Sequence, residues 1–186
     1  QTSLVGSEMC IRDRDYVNSI STHLKALEIR EQGEDKVAIA QSCFNLGRNF
    51  ERLGENTRAL TYYQRATDIS VELGLQHKES LYRTGLAGVY QAMMRDEECM
   101  RENQRALKIA EEVNNERLIS VALNSIARLL YDQQKHEEAL SYAERAIPYK
   151  KKIGDTRGLG VGFCLVGMCL YKLKKLRSGQ MTPMLT

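Results

Sequence analysis

Cys43-Phe44-Asn45-Leu46-Gly47-Arg48-Asn49-Phe50 is the stretch from which the fold can be read, because its pattern returns at a fixed interval. Forty residues on stands Arg83-Thr84-Gly85-Leu86-Ala87-Gly88-Val89-Tyr90, then Leu123-Asn124-Ser125-Ile126-Ala127-Arg128-Leu129-Leu130, then Phe163-Cys164-Leu165-Val166-Gly167-Met168-Cys169-Leu170. In every copy a small residue (Gly47, Ala87, Ala127, Gly167) follows an apolar one and precedes a larger apolar or aromatic residue three positions later. Within a copy the spacing is i, i+3, i+4, i+7, as in Cys43, Leu46, Gly47 and Phe50, which is the period of a helix and not of a strand. A constant interval between 20 and 50 residues is the mark of stacked structural repeats.

Further ladders share the interval. Ala26, Ala66, Ala106 and Ala146 form one, and Ala59, Cys99 and Ala139 another, so each unit carries two apolar segments. Polar connections recur in register, at Glu34-Asp35, Gly74-Leu75, Asn114-Asn115 and Gly154-Asp155, with intervening turns near Gly54-Glu55, Arg95-Asp96 and Lys135-His136. The pattern predicts eight helices, at 15–32, 36–53, 56–73, 76–93, 96–113, 116–133, 136–153 and 156–176, in antiparallel hairpins. The small residues permit close approach of neighbouring helices. Pro148 lacks a backbone donor and is expected to kink the seventh helix or end it early.

The chain of 186 residues has 27% charged residues and a net charge of +3, too small a surplus to argue for nucleic acid or an anionic membrane as partner. The longest apolar run, 158–171, falls short of the roughly 20 residues of a membrane span, so it reads as a buried helix. Five cysteines without a CxxC pair indicate neither a disulfide framework nor a zinc ribbon, which fits a reducing compartment and a cytoplasmic location. Residues 1–14 carry no secretory signal and read as a non-native or disordered tail. Residues 177–186 read as a second disordered tail, and both ends are expected to be truncated, making the chain a fragment.

No catalytic, cofactor-binding or metal-ligating residues are expected. His23, His77 and His136 lie in different repeats and are expected at the surface. Cys99, Cys164 and Cys169 read as small buried packing residues. Gly158-Leu159-Gly160-Val161-Gly162 opens a helix with no strand before it and lacks the Lys-Ser/Thr ending of a phosphate loop. Glu97, Glu98, Glu137 and Glu138 stand at helix starts, where the helix dipole alone favours them.

The unit resembles the tetratricopeptide repeat, a helix-turn-helix with Leu-Gly, Tyr, then Ala, an aromatic and Ala along its two helices. Cys43, Leu46, Gly47, Phe50, Ala59, Tyr63 and Ala66 fall at the family spacings; Arg83, Leu86, Ala87, Tyr90, Cys99, Asn103 and Ala106 follow, then Leu123, Ile126, Ala127, Leu130, Ala139, Ala143 and Ala146. The family's closing Pro is replaced by Val71, Glu111 and Lys151, and the interval is 40 where 34 is usual. The longer unit resembles the Leu-Gly-Asn subgroup, cytoplasmic scaffolds that bind extended peptides.

The resemblance implies an all-α, right-handed superhelix, with half repeats at 15–32 and 156–176 flanking full repeats at 36–73, 76–113 and 116–153. It implies a concave groove lined by the first helix of each pair, and a non-enzymatic scaffold that binds a protein or peptide partner there. The groove candidates are Phe44, Arg48, Arg52, Asn124, Arg128, Tyr131, Met168, Tyr171 and Lys172, the cations for an acidic peptide and the aromatics as anchors. The carboxylate clamp of some family members needs Lys and Asn where Phe44 and Arg48 stand, so chaperone tails are disfavoured. The rival readings are a regulatory module of a larger signalling enzyme or transcription regulator, and a structural subunit of a cytoskeletal or ciliary assembly. Phe163, Val166 and Leu170 should be incompletely covered, so self-association through the last helix is expected.

Overall fold

The computed structural model describes residues 2–178, with side chains from Tyr16 onward. Eight helices follow one another: α1 (Thr2–Gln32), α2 (Lys36–Arg52), α3 (Asn56–Glu72), α4 (Gln76–Ala92), α5 (Asp96–Glu112), α6 (Glu116–Asp132), α7 (His136–Lys152) and α8 (Thr156–Arg177). No strand occurs among the described residues, and the chain is an all-α superhelix. The first helix starts at Thr2, well before the expected 15, since Gly6 is the only strong helix opponent in that stretch. From the tail expected at 177–186, residues 179–186 lie outside the described residues, as does residue 1. Pro148 does not end the seventh helix, which runs to Lys152. It sits on the exposed face, where the carbonyl left without a donor can turn to water.

Each helix packs against the next. Beyond that, α2 touches α4, α4 touches α6 and α6 touches α8, whereas among the described residues α1, α3, α5 and α7 make no such contacts with one another. The even-numbered helices are therefore the crowded inner layer of a curved stack and the odd-numbered ones its spread outer layer.

Helices α2 to α7 are 17 residues each, and every connection has one residue in the left-handed region: Glu34, Gly54, Gly74, Met94, Asn114, Gln134 and Gly154, twenty residues apart. After α2 the pattern is a Schellman closure, with Glu55 N–H donating to Phe50 C=O at 2.9 Å and Gly54 N–H to Glu51 C=O at 3.0 Å. The same pair of bonds closes α3 to α7. Asp35, Asn115 and Asp155 cap α2, α6 and α8 through side-chain oxygens that accept from the backbone N–H three residues on.

The small-residue ladder lies where helices cross. Ala87 and Ala127 are fully buried, and a Cβ on Gly47 would stand 2.9 Å from the Tyr63 ring. Volumes trade along the stack. Tyr63 lies against Gly47 and Gly85; the equivalent Asn103 has Ala87 and Ser125 in those places, and Ala143 has Ala127 and Leu165. As the inner helices gain bulk, the outer residue that reaches between them loses it, so packing density is kept. Gly167 meets nothing within 4 Å, because no ninth helix covers that face among the described residues.

Arg83 occupies the position of Cys43 and Leu123, and two carboxylates hold it there. Its guanidinium donates to Glu79 Oε1 at 2.8 Å and to Glu102 Oε2 at 2.7 Å, joining α4 to α5 with the Glu102 side chain only 7% exposed.

Candidate partner-binding groove

The inner layer carries a cavity of about 490 Å³ bounded by α2, α4 and α6. Phe44, Arg48, Glu51 and Arg52 come from α2, Leu81, Thr84, Gly88 and Gln91 from α4, and Val121, Ser125 and Arg128 from α6. These residues fall at one helical face because their spacing alternates three and four residues. Tyr63 and Asn103 reach the floor from the outer helices α3 and α5.

The floor is aromatic at one end. The Phe44 ring lies 5.5 Å from Tyr63 and 4.7 Å from Tyr82, so Phe44 is a packing residue, 8% exposed, rather than a projecting anchor. Tyr63 donates its hydroxyl proton to Glu51 Oε2 at 2.7 Å, and burial with that carboxylate pushes its pKa well up. Tyr82 is pushed up to about 12 by burial and donates to Gln41 Oε1 at 3.4 Å. Gly88 leaves room for Glu51, since a Cβ there would stand 3.1 Å from Oε1.

The walls are charged and mixed in sign. Arg48 lies over the Phe44 ring at 5.9 Å. Arg52 donates to the Tyr16 hydroxyl at 3.0 Å and covers that ring at 5.4 Å. Arg128 donates to Gln91 Oε1 at 2.8 Å, and Gln91 donates in turn to Asp132 Oδ2 at 2.7 Å, a bridge between successive inner helices. Asn103, 1% exposed, has one amide atom, Oδ1, without a partner among the described residues.

Of the residues singled out from sequence, Phe44, Arg48, Arg52 and Arg128 meet in this cavity. Asn124 borders a second one, of about 290 Å³, between α6 and α8. Tyr131, Met168, Tyr171 and Lys172 border neither. Tyr131 packs on His136 with 5.1 Å between ring centres, while Tyr171 is 57% exposed with Lys175 Nζ 5.1 Å above it. Sequence reasoning missed Tyr63, Asn103 and Lys150, all from outer helices. In the 40-residue register Lys150 follows the small Ser70 and Ala110 but shares its place with Arg30, so the register alone did not mark it.

Two expectations are corrected. His136 is buried, not at the surface: Tyr131 stacks on it, and Leu173 and Leu176 of α8 border the same recess. Desolvation, then the neighbouring Lys172 charge, holds its pKa below the usual 6.5. Cys164 is exposed, because it lies on the inner face of α8 at the register of Phe44 and Asn124, whereas Cys99 and Cys169 are buried as expected. Burial pushes the Cys99 thiol up to about 11 and raises Cys43 and Cys169 as well, which leaves them poor nucleophiles. Among the described residues no group of three His, Cys, Asp or Glu is placed to hold a metal, and no helix is long and apolar enough to cross a membrane.

A curved stack of helix hairpins with a side-chain-lined inner face defines an α-solenoid of the interaction-scaffold class. The chain belongs to the tetratricopeptide repeat family, whose profile matches residues 7–70 and 79–152. No curated protein matches it in sequence. Among solved structures it is similar to aspartyl phosphate phosphatase F from Bacillus subtilis, at 20% identity and a TM-score of 0.78, over 89% of this chain and 43% of that one. It is similar to a Rap protein complexed with competence and sporulation factor, at 17% identity and a TM-score of 0.76, over 91% and 48%. A kinesin light chain-type protein of nearly identical TPR-like repeats from Podosopora anserina gives 14% identity and a TM-score of 0.63, over 93% and 92%. The chain thus spans less than half the length of the first two of these neighbours.

Proposed function

We propose that this protein is a non-enzymatic scaffold that holds a partner peptide or helix in the groove between α2, α4 and α6. The observation that carries the reading is that three successive inner helices contribute side chains to one continuous cavity, which a partner lying across the stack would touch repeat by repeat. Arg48, Arg52 and Arg128 outnumber Glu51 there, and each sits at the surface end of the wall, so the partner is acidic. The Rap neighbour, which holds a factor, supports such a use of the fold. The 40-residue unit supports likeness to the Leu-Gly-Asn subgroup, and an odd cysteine count supports a cytoplasmic location.

Selection from a display library of acidic linear peptides, followed by titration against the parent and the Arg48→Glu, Arg128→Glu double variant, tests this. The expected result is at least a tenfold loss of affinity, since hydrogen bonds to charged groups are worth about 1.5–3 kcal/mol. Unchanged affinity removes the groove. A second reading, a regulatory module of a larger protein, is favoured by the likeness to aspartyl phosphate phosphatase F and the Rap protein, of each of which this array covers less than half.

A further inference from the structure

The cavity between α6 and α8 holds a buried cation with no ion-pair partner among the described residues. Lys150 is 4% exposed, yet its Nζ makes a single hydrogen bond, 2.8 Å to Asn124 Oδ1, and no carboxylate lies within ion-pair distance among the described residues. A lysine buried without a counter-ion is costly, because desolvation is not recovered by any opposite charge. Burial lowers the Lys150 pKa from its usual range, with Asp155 opposing the shift. The chain makes room for this arrangement. Gly162 faces the ammonium, and a Cβ on it would stand 3.2 Å from Nζ. At the register of Lys150 the preceding units carry Ala110, Ser70 and Arg30, and at the register of Gly162 they carry Ala122, Tyr82 and Ser42, with Arg30 donating to Ser42 Oγ. Compared with the two repeats before it, the α7–α8 pair thus sets a cation against a glycine, where the α1–α2 pair sets Arg30 against Ser42.

The cavity of about 290 Å³ is lined by Ser120, Ser125, Arg157 and Asp155 as well as Lys150 and Asn124. Ser125 and Val121 border both this cavity and the larger groove, so the two adjoin along α6. We propose that this recess is an anion subsite in which one carboxylate, from a Glu or Asp side chain of the groove-bound peptide, accepts hydrogen bonds from Lys150 Nζ and the Arg157 guanidinium. The inference rests on the groove reading and names the partner chemistry at one point of it. Lys150 and Arg157 against Asp155 leave the recess one net positive charge, which a single carboxylate matches. A dianionic phosphate would meet the Asp155 carboxylate, whose oxygen already accepts from Gly158 N–H at 2.8 Å.

The test uses the full chain and three libraries of linear peptides that differ only in one fixed central residue: Glu, Gln or phosphoserine. The parent should select Glu peptides and bind them about tenfold more tightly than their Gln counterparts, the usual worth of a charge-assisted bond. Lys150→Met, with helical content and melting followed alongside, should bring Glu and Gln peptides to equal affinity, and Gly162→Ala should narrow the gap by crowding the ammonium. Equal binding of Glu and Gln peptides by the parent overturns the subsite while leaving the groove intact, and so does a preference that survives in Lys150→Met. Because that comparison is made on the parent protein, it holds even where a variant fails to fold. Stronger selection of phosphoserine than of Glu overturns the carboxylate assignment. Failure of the parent to bind any peptide overturns the groove reading and the subsite together.

Discussion

Gly85→Ala isolates the trade of volumes between inner and outer helices. The new Cβ would stand 2.6 Å from Tyr63 Cε1 and 2.9 Å from Cζ. The ring has little freedom to move: Tyr63 is 1% exposed, Gly47 is pressed against the same Cδ1–Cε1 side, Phe44 lies 5.5 Å away, and the hydroxyl is held by Glu51. Overpacking at so rigid a place belongs at the upper end of the usual range, about 3 kcal/mol. Alanine returns about 1 kcal/mol of helix propensity over glycine, which leaves a net loss of about 2 kcal/mol. In a Tyr63→Asn background, the residue used one repeat later, the clash is gone and Gly85→Ala should stabilise by about 1 kcal/mol. The double-mutant cycle therefore carries a coupling of about 3 kcal/mol. Urea unfolding followed by circular dichroism at 222 nm on the four proteins measures it. A Gly85→Ala protein as stable as its parent, or the same effect in both backgrounds, would refute the reasoning.

Arg83→Leu should lose about 1–3 kcal/mol, because it removes the 2.7 Å ion pair and leaves the Glu102 carboxylate only the looser 3.5 Å contacts of the exposed Arg101 and Arg105; Arg83→Leu with Glu102→Leu should recover most of that in the same urea assay. His136 is held neutral by the fold, so its contribution is complete above pH 6.5 and is lost as pH falls below 6.5 towards its depressed folded value. Thermal melts across that window should show a smaller loss for His136→Gln than for the parent. Met94 is 87% exposed with φ of 58°, a conformation glycine adopts freely, so Met94→Gly should raise stability by about 0.5–1 kcal/mol in thermal melts. Phe163 and Leu170 are about half exposed on α8, which predicts concentration-dependent dimers in light scattering that Leu170→Asp disperses.

The helices and their pairing were legible because burial imposes one requirement, a small residue where helices cross, on every repeat alike; Gly47, Ala87 and Ala127 declare it in plain periodicity. The wall of the groove was legible for the same reason, since Arg48 and Arg128 share a register on the inner face. What escaped were residues whose surroundings are set by a neighbour distant in sequence. Nothing local tells that His136, flanked by Lys135 and Glu137, will be covered by Tyr131 and face Leu173 of α8. Lys150 stands among Lys151 and Lys152 and reads as one more solvated charge, and only the opposing Gly162 reveals its inward course. Pro148 promised an interruption that packing on both sides of it overrides.

The evenly placed left-handed residue, one in every connection, makes all junctions of the stack interchangeable in shape. Excising residues 76–115 would join Leu75 to Glu116 through a turn of the same closure, so that α3 would meet α6 as it now meets α4. The array is in this sense built to be spliced: its length can change by whole hairpins without new joint geometry, while the identity of each groove segment travels with the hairpin that carries it.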